Sequence, residues 1–405
     1  MQVALRTMDQ IRTRPQNIVD FSNTEIAFSS KSNKELRKTA RMFRLMNNPW
    51  LVQLASNLAL WSTRMRLPFS EKAIENTIFE IFCGGKALPD CQPVIERLYR
   101  SNVFTVLDYG AEAKTTNEDL DKALQEFLRT VEFAASNASV PVVSTKITAI
   151  ADNDLLIKWQ SGQPFDEQER LQFGRIVDRL DMLCSTARKL GVRIFIHAEE
   201  SWIQNTIDYL VEMMMERYNH ELAVVYNTYQ LYRTDKLEHL QRDFEKARRE
   251  GYLLGAKLVR GAYLVKERTR AKEMGYPSPI QEDKESTDRA FNDAILFCIQ
   301  HYHYLASCNA SHNLESNQLQ AELIAEKNLP RSHPHLNFCQ LLGMSDNITF
   351  NLSAAGYNVA KYVVYGPVRE VVPYLIRRAQ ENSSVTGDMS RELALVIQEM
   401  KRRGI

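Results

Sequence analysis

Neither sign of charge dominates this chain: 51 lysines and arginines stand against 50 aspartates and glutamates in 405 residues, a formal net charge of +1. Such a balance leaves no global field to draw the protein to nucleic acid or an acidic membrane, so nucleic acid is excluded as a partner and small-molecule work is the default. Six cysteines (Cys83, Cys91, Cys184, Cys298, Cys308, Cys339) form no CxxC and no Cys/His metal spacing. They read as reduced, packed thiols in a reducing compartment, and no metal is expected. No stretch approaches the roughly twenty apolar residues that span a bilayer. The first thirty residues lack a positive start followed by an apolar run, so the expectation is a soluble or peripheral protein. No GxGxxG follows a strand pattern, and there is no internal repeat or low-complexity tract.

What is present changes character along the chain. Residues 1–100 read as helical, with apolar residues at three- and four-residue spacing in 34–46, 49–65 and 71–82 and no good strand candidate. Val52, Leu54, Leu58 and Trp61 make an apolar stripe whose ordinary reading is a helix packing on its own core. Short β-rich runs then alternate with helical stretches. The runs are 104–109, 140–147, 193–198, 222–226, 253–260, 304–310, 336–341 and 359–365, with helices over 117–133, 166–190 and 284–302 among those between. Eight strands with helical crossovers predict a (β/α)8 barrel; 336–341 is the weakest run, and a doubly wound sheet is the main alternative. The division expected is a helical region over 1–100, a barrel over 101–390 and a C-terminal helix over 391–405.

The densest chemistry lies in 255–288. A buried-strand pattern ends in Arg260, Gly261, Ala262 and Tyr263, where α/β proteins keep their active groups. Lys257 and Arg260 beside a close-approach glycine suit a phosphate-bearing cofactor, and Tyr263 offers an aromatic wall with a hydroxyl. In a barrel, strand ends also place Lys146, His197, Asn227, Tyr229, His312 and Tyr365 around the same mouth. That set suits an anionic substrate and a phosphorylated cofactor better than a metal, because His197 and His312 lack neighbouring ligands. Near the C-terminus, Tyr374, Arg377, Arg378 and Glu381 share one helical stripe, with Val368, Val371, Val372, Leu375, Ile376 and Ala379 on the adjoining face. Each guanidinium can hold a carboxylate through two parallel hydrogen bonds, although a solvated stripe with an Arg377–Glu381 pair is the bland reading.

Four motifs occur in one order: Asn227-Thr228-Tyr229-Gln230, the KLVRGAY segment from Lys257 to Tyr263, Ser311-His312-Asn313, and YLIRR..EN from Tyr374 to Asn382. Together, over about residues 70–390, they make the chain closely resemble the flavin-dependent proline dehydrogenases of the monofunctional type. The resemblance implies a distorted TIM-like barrel with its last helix lying over the top. It implies FAD-dependent oxidation of L-proline to 1-pyrroline-5-carboxylate, with the hydride going to flavin N5. Electrons would pass on to ubiquinone or menaquinone, and a separate 1-pyrroline-5-carboxylate dehydrogenase would consume the product.

Carried over by residue, Arg377 and Arg378 would bind the proline carboxylate with help from Lys146. Tyr365, Tyr374 and Tyr263 would enclose the ring, and Leu258 would touch it. Asn227, Tyr229, Lys257, Arg260, Gly261, Ala262, Ser311, His312 and Asn313 would line the flavin. Lys284 and Ser286 would reach the adenosine side, and Glu381 the ribose. One position departs: family members commonly read DAEE where this chain has His197-Ala198-Glu199-Glu200, so the carboxylate–lysine pair with Lys146 lapses and Glu199 is left to take part of that role. Three rivals stay open, namely a Schiff-base lyase using Lys146, a non-catalytic flavin-binding regulator, and an enzyme for hydroxyproline or another cyclic imino acid. The expected place is the bacterial cytoplasmic side, with peripheral contact to the inner membrane open, or the mitochondrial matrix in a eukaryote, because Asp9, Asp20 and Glu25 interrupt any Arg/Ser-rich leader.

Overall fold

The computed structural model describes residues 18–65, 70–110, 116–384 and 388–405. After a single helical turn over Thr24–Ala27 come helices α1 (Asn33–Met46) and α2 (Pro49–Arg64), and a short strand β1 (Cys83–Gly85) follows. The repeating part runs β2 (Phe104–Tyr109), α3 (Asn117–Ala135), β3 (Val142–Thr145), α4 (Glu167–Leu190), β4 (Arg193–Ile196) and α5 (Ser201–Tyr218). It continues with β5 (Val225–Gln230), α6 (Lys236–Glu250), β6 (Leu254–Val259), α7 (Leu264–Met274), α8 (Lys284–Gln300), β7 (Leu305–Ala310) and α9 (Leu314–Glu326). β8 (Leu336–Leu341), α10 (Asp346–Ala354), β9 (Val359–Tyr365), α11 (Val368–Ser384) and α12 (Asp388–Arg402) complete the order.

Strands β2 to β9 pair in parallel with their sequence neighbours, and β9 pairs with both β8 and β2, so eight strands close into a (β/α)8 barrel. β1 adds to the end of β9 through Cys83 and Gly85. The doubly wound alternative falls, since an open sheet has no β9–β2 pairing. Local chemistry sets the ends of the elements. Ser32 and Glu35 form a reciprocal capping box on α1, as Asp166 and Glu169 do on α4, which stops at Gly191 in the left-handed region.

Two strand expectations needed correction. β1 was not expected, because two glycines in three residues carry no strand propensity; the edge of β9 recruits it. The fourth run was expected over 222–226, but the strand there, β5, is Val225–Gln230. There, the Asn219 side chain accepts from the amides of Val224 and Val225, which keeps the preceding residues in a loop. Polar residues then enter the strand because each finds a partner: Thr228 Oγ1 donates to the Ile196 carbonyl at 2.6 Å, and Gln230 Nε2 to that of Glu199 at 2.7 Å.

Side chains alternate across the barrel wall. One buried cluster joins the outer faces of the strands to the surrounding helices. A second joins inward residues such as Val106, Phe195, Cys308 and Tyr362 to α1 and to Val368, Val371, Val372 and Leu375 of α11. The last helix thus packs its apolar face on the barrel interior and crosses over the mouth. On α2 the expected burial of the stripe is reversed: Val52 is buried at 6% exposure, but Leu54, Leu58 and Trp61 are exposed.

Two glycines test this packing in opposite directions. A Cβ at Gly255 in β6 would lie 2.3 Å from the Val225 carbonyl, whereas one at Gly174 in α4 meets nothing within 4 Å. Gly255→Ala is expected to lower stability by about 1–3 kcal/mol. Gly174→Ala is expected to raise it by about 0.5–1 kcal/mol, both read as shifts in the urea midpoint.

Candidate active site at the barrel mouth

A buried polar column starts inside the mouth. Ser144 Oγ donates to Asp108 Oδ1 at 2.7 Å, and His197 Nε2 lies 3.4 Å from the same oxygen and 2.8 Å from the Tyr362 hydroxyl. Lys257 Nζ sits 3.2 Å from His197 Nδ1, and a lysine brings donors only, so the imidazole carries its proton on Nε2. Burial, and then the charge of Lys257, lower the His197 pKa to about 4, leaving it neutral at pH 7. Burial pushes the Asp108 carboxyl up, but hydrogen bonds from His197 and Tyr362 and the charge of Lys146 hold it below its ordinary value. An acid nevertheless stands beside position 197: Asp108, two strands away on β2. Glu199 is fixed instead by Thr148, whose amide and hydroxyl donate to it at 3.1 and 2.6 Å, and it too lies within the field of Lys146.

The opposite rim is cationic. Arg260 donates through Nε to Asp288 at 2.7 Å and through its two other nitrogens to Ser311 at 2.6 Å and Ser316 at 3.0 Å, with its guanidinium over the Phe291 ring. Lys284 pairs with the other oxygen of Asp288, which ties the start of α8 to the end of β6. His312 bonds Ser345 at 2.9 Å; burial and then the charges of Lys361, Arg378, Arg391 and Arg260 lower its pKa to about 3. A neutral imidazole among four cations is a donor set suited to a polyanionic ligand. Gly261 has φ +142°, and a Cβ there would meet the Tyr232 ring at 2.4 Å, so only glycine turns the chain here. Ser345 holds φ +49°, an uncommon value for serine, beside His312.

α11 closes the mouth from above. Its first turn is tied to β2 by the Tyr109 hydroxyl, which donates to Glu370 at 3.2 Å. Arg377 acts on Tyr263, whose hydroxyl is held protonated by burial and by Glu199 and Glu200. Arg378 acts on His312, its guanidinium 5.6 Å from the centre of the Tyr374 ring, and Tyr374 lies within the field of Tyr362. The two adjacent arginines thus address both sides of one opening.

Four expected ligand contacts point elsewhere, for one reason. Tyr362 faces inward, so Tyr365, three residues on, faces out: its hydroxyl is 2.6 Å from Thr130 Oγ1 and donates to Glu126 at 3.0 Å on α3. Asn227 and Tyr229 likewise turn outward, donating to Asp208 of α5 at 2.9 Å and Asp243 of α6 at 2.6 Å. Leu258, next to inward Lys257, lies in the outer cluster at 1% exposure. Asn313 caps α9 by accepting from the Ser316 amide, and Ser286 Oγ accepts from Arg289. The Glu381 side chain lies outside those described. Sequence reasoning missed Asp108 and Tyr362, each a polar residue in an otherwise apolar strand pattern, which is the mark that could have found them.

The fold and the chain have known counterparts. The family model for proline dehydrogenase matches residues 91–391. The chain is similar to human "Proline dehydrogenase 1, mitochondrial", 42% identical over 242 residues that cover 59% of this chain and 40% of that one, so it spans well under half of that relative's length. It is 30% identical to the hydroxyproline dehydrogenase of Xenopus laevis, over 96% of this chain and 91% of that one. Among solved structures, proline utilization A from Bdellovibrio bacteriovorus superposes with a TM-score of 0.70 at 20% identity, over 93% of this chain and 38% of that one, a likeness of fold.

The buried imidazole makes a stability prediction. The His197 pKa of about 4 lies below the ordinary 6.5, so as pH falls the unfolded chain takes up the proton first. Stability from this group is full above pH 6.5 and is lost progressively down to about 4, by an amount of order 3 kcal/mol. His197→Gln is expected to flatten that slope in urea midpoints measured between those pH values; an unchanged slope would show that the residue is not held neutral.

Proposed function

The chain belongs to the proline dehydrogenase family, and from that premise we propose that it oxidises L-proline to 1-pyrroline-5-carboxylate with FAD as cofactor. The observation that carries this reading is the placement of Arg377 and Arg378 over the mouth, acting on Tyr263 and His312 respectively. Arg377 and Lys146 would take the substrate carboxylate from the Tyr263 side, and Arg378 would close on it from the His312 side. A bidentate clamp of this kind fixes the ring's orientation, which contributes several kcal/mol to lowering a barrier. The same cations disfavour a protonated amine nearby, and the reaction requires that amine neutral. Tyr263 and Tyr374 would wall the ring, while α11 keeps water out.

Lys257, Arg260, Gly261, Ala262, Ser311 and His312 would hold FAD, with the cationic rim meeting its pyrophosphate and Lys284 and Ser286 the adenosine side. When bound, FAD supplies the two-electron acceptor for the C–H bond beside the ring nitrogen. Ubiquinone or menaquinone would take the electrons on, and a separate dehydrogenase would consume the product. Six buried free thiols favour a reducing compartment. Hydroxyproline is the second substrate to weigh, because the Xenopus relative named for it aligns over nearly the whole chain.

The test is anaerobic addition of substrate to the purified yellow protein. L-Proline is expected to bleach the flavin band at lower concentration than trans-4-hydroxy-L-proline does, and the reverse order would reassign the substrate. Arg377→Met and Arg378→Met are each expected to lower kcat/KM by about 10²- to 10³-fold with flavin retained. Unchanged kinetics in both would contradict the clamp.

A further inference from the structure

The even charge balance of the whole chain hides one segment that is one-sided. Between Glu35 and Glu71 there is no acidic residue, while Arg37, Lys38, Arg41, Arg44, Arg64 and Arg66 make six basic ones. Arg37, Arg41 and Arg44 are exposed and share one face of α1 at i, i+4 and i+7. That helix leads directly into α2.

α2 is built back to front for a helix of a soluble domain. At about 100° per residue, Trp50, Leu51, Leu54, Leu58 and Trp61 fall within an arc of about 100°. All are exposed, Trp50 at 69% and Trp61 at 56%. The opposite side, with Val52, Ser56 and Ala59, faces inward, and α2 packs mainly on α11. The more apolar face is therefore the outer one, lengthened by exposed Met65 just past the helix end and by Leu45 in the last turn of α1. A continuous apolar face with a tryptophan near each end, next to a row of arginines, has the make-up of a helix that lies in a lipid headgroup layer. No described helix is long and apolar enough to cross a membrane, so insertion would be parallel to the surface.

We propose that α2, with the arginine face of α1, docks the protein on an anionic lipid bilayer, burying the Trp50–Trp61 face among the acyl chains. The absence of any acid from this segment selects an anionic bilayer over a second copy of the chain, whose matching face would bring the same positive charge. This goes beyond the proposed oxidation and does not depend on it, since docking is read without turnover.

Flotation of the full chain with phosphatidylcholine vesicles, with and without phosphatidylglycerol, tests it. The protein is expected to float with the anionic vesicles, with a blue shift of tryptophan emission and quenching by brominated acyl chains, and to release as salt is raised. Leu54→Ser/Leu58→Ser/Trp61→Ser and, separately, Arg37→Glu/Arg41→Glu/Arg44→Glu are each expected to weaken binding about tenfold or more, with circular dichroism and urea midpoint unchanged. Val265→Ser, at an exposed position on α7, is expected to bind as the parent does. Failure of the parent to float at low salt would overturn the proposal, as would undiminished floating of the triple-serine variant. A dimer in sedimentation velocity that this variant dissolves, without vesicle binding, would assign the face to self-association and overturn it equally.

Discussion

The contact on which the rest depends is the seating of α11. Val368, Val371, Val372 and Leu375 are buried with inward-facing residues of the barrel, among them Val106, Tyr362 and Val364, so the helix lies over the opening and not on the outer ring. Because a helix repeats every 3.6 residues, burying that valine face dictates where the next stripe points, and Tyr374, Arg377 and Arg378 lie on it. Hydrophobic burial, which has no direction of its own, here aims two guanidinium groups. The α1–α2 pair backs α11 from the other side, so the N-terminal region shapes the site without entering it.

Beneath that roof the charges are arranged so that few are left uncompensated. Asp108 stands within the field of Lys146 and bonds Ser144, His197 and Tyr362, and Lys361 is paired with Asp346 at 2.9 Å. The two histidines at the mouth avoid adding charge by staying neutral. Positive charge is thereby concentrated where an anion would enter, and negative charge is kept within the wall of the barrel. With His197 in place of an acid, the carboxylate beside it comes from Asp108, two strands away on β2.

Much of the fold was legible from apolar runs. Even the weakest strand, Leu336–Leu341, falls on its expected residues, because apolar positions alternate with partnered polar ones. β5 was misjudged because its polar half, Asn227 to Gln230, is stabilised by bonds to other segments that no local pattern reveals. At the site, strand ends located the mouth, but proximity to a strand end does not say which wall a side chain faces. Counting by twos from Lys257 and Tyr362 separates inward residues from Leu258 and Tyr365, and the parity was available once one inward member was known. Asp108 was missed for a different reason: a single acid in an apolar strand takes its meaning from Lys146 and His197 on other strands.

The central claim is that Arg377 and Arg378 converge on one carboxylate beneath α11. A crystal structure with the ring-ether analogue of proline, in which oxygen replaces the amine so that the ring cannot be oxidised in the same way, examines it directly. The analogue's carboxylate is expected within hydrogen-bonding distance of both guanidinium groups, with its ring between Tyr263 and Tyr374. Electron density for the analogue away from α11, with the two arginines turned to solvent, would contradict it.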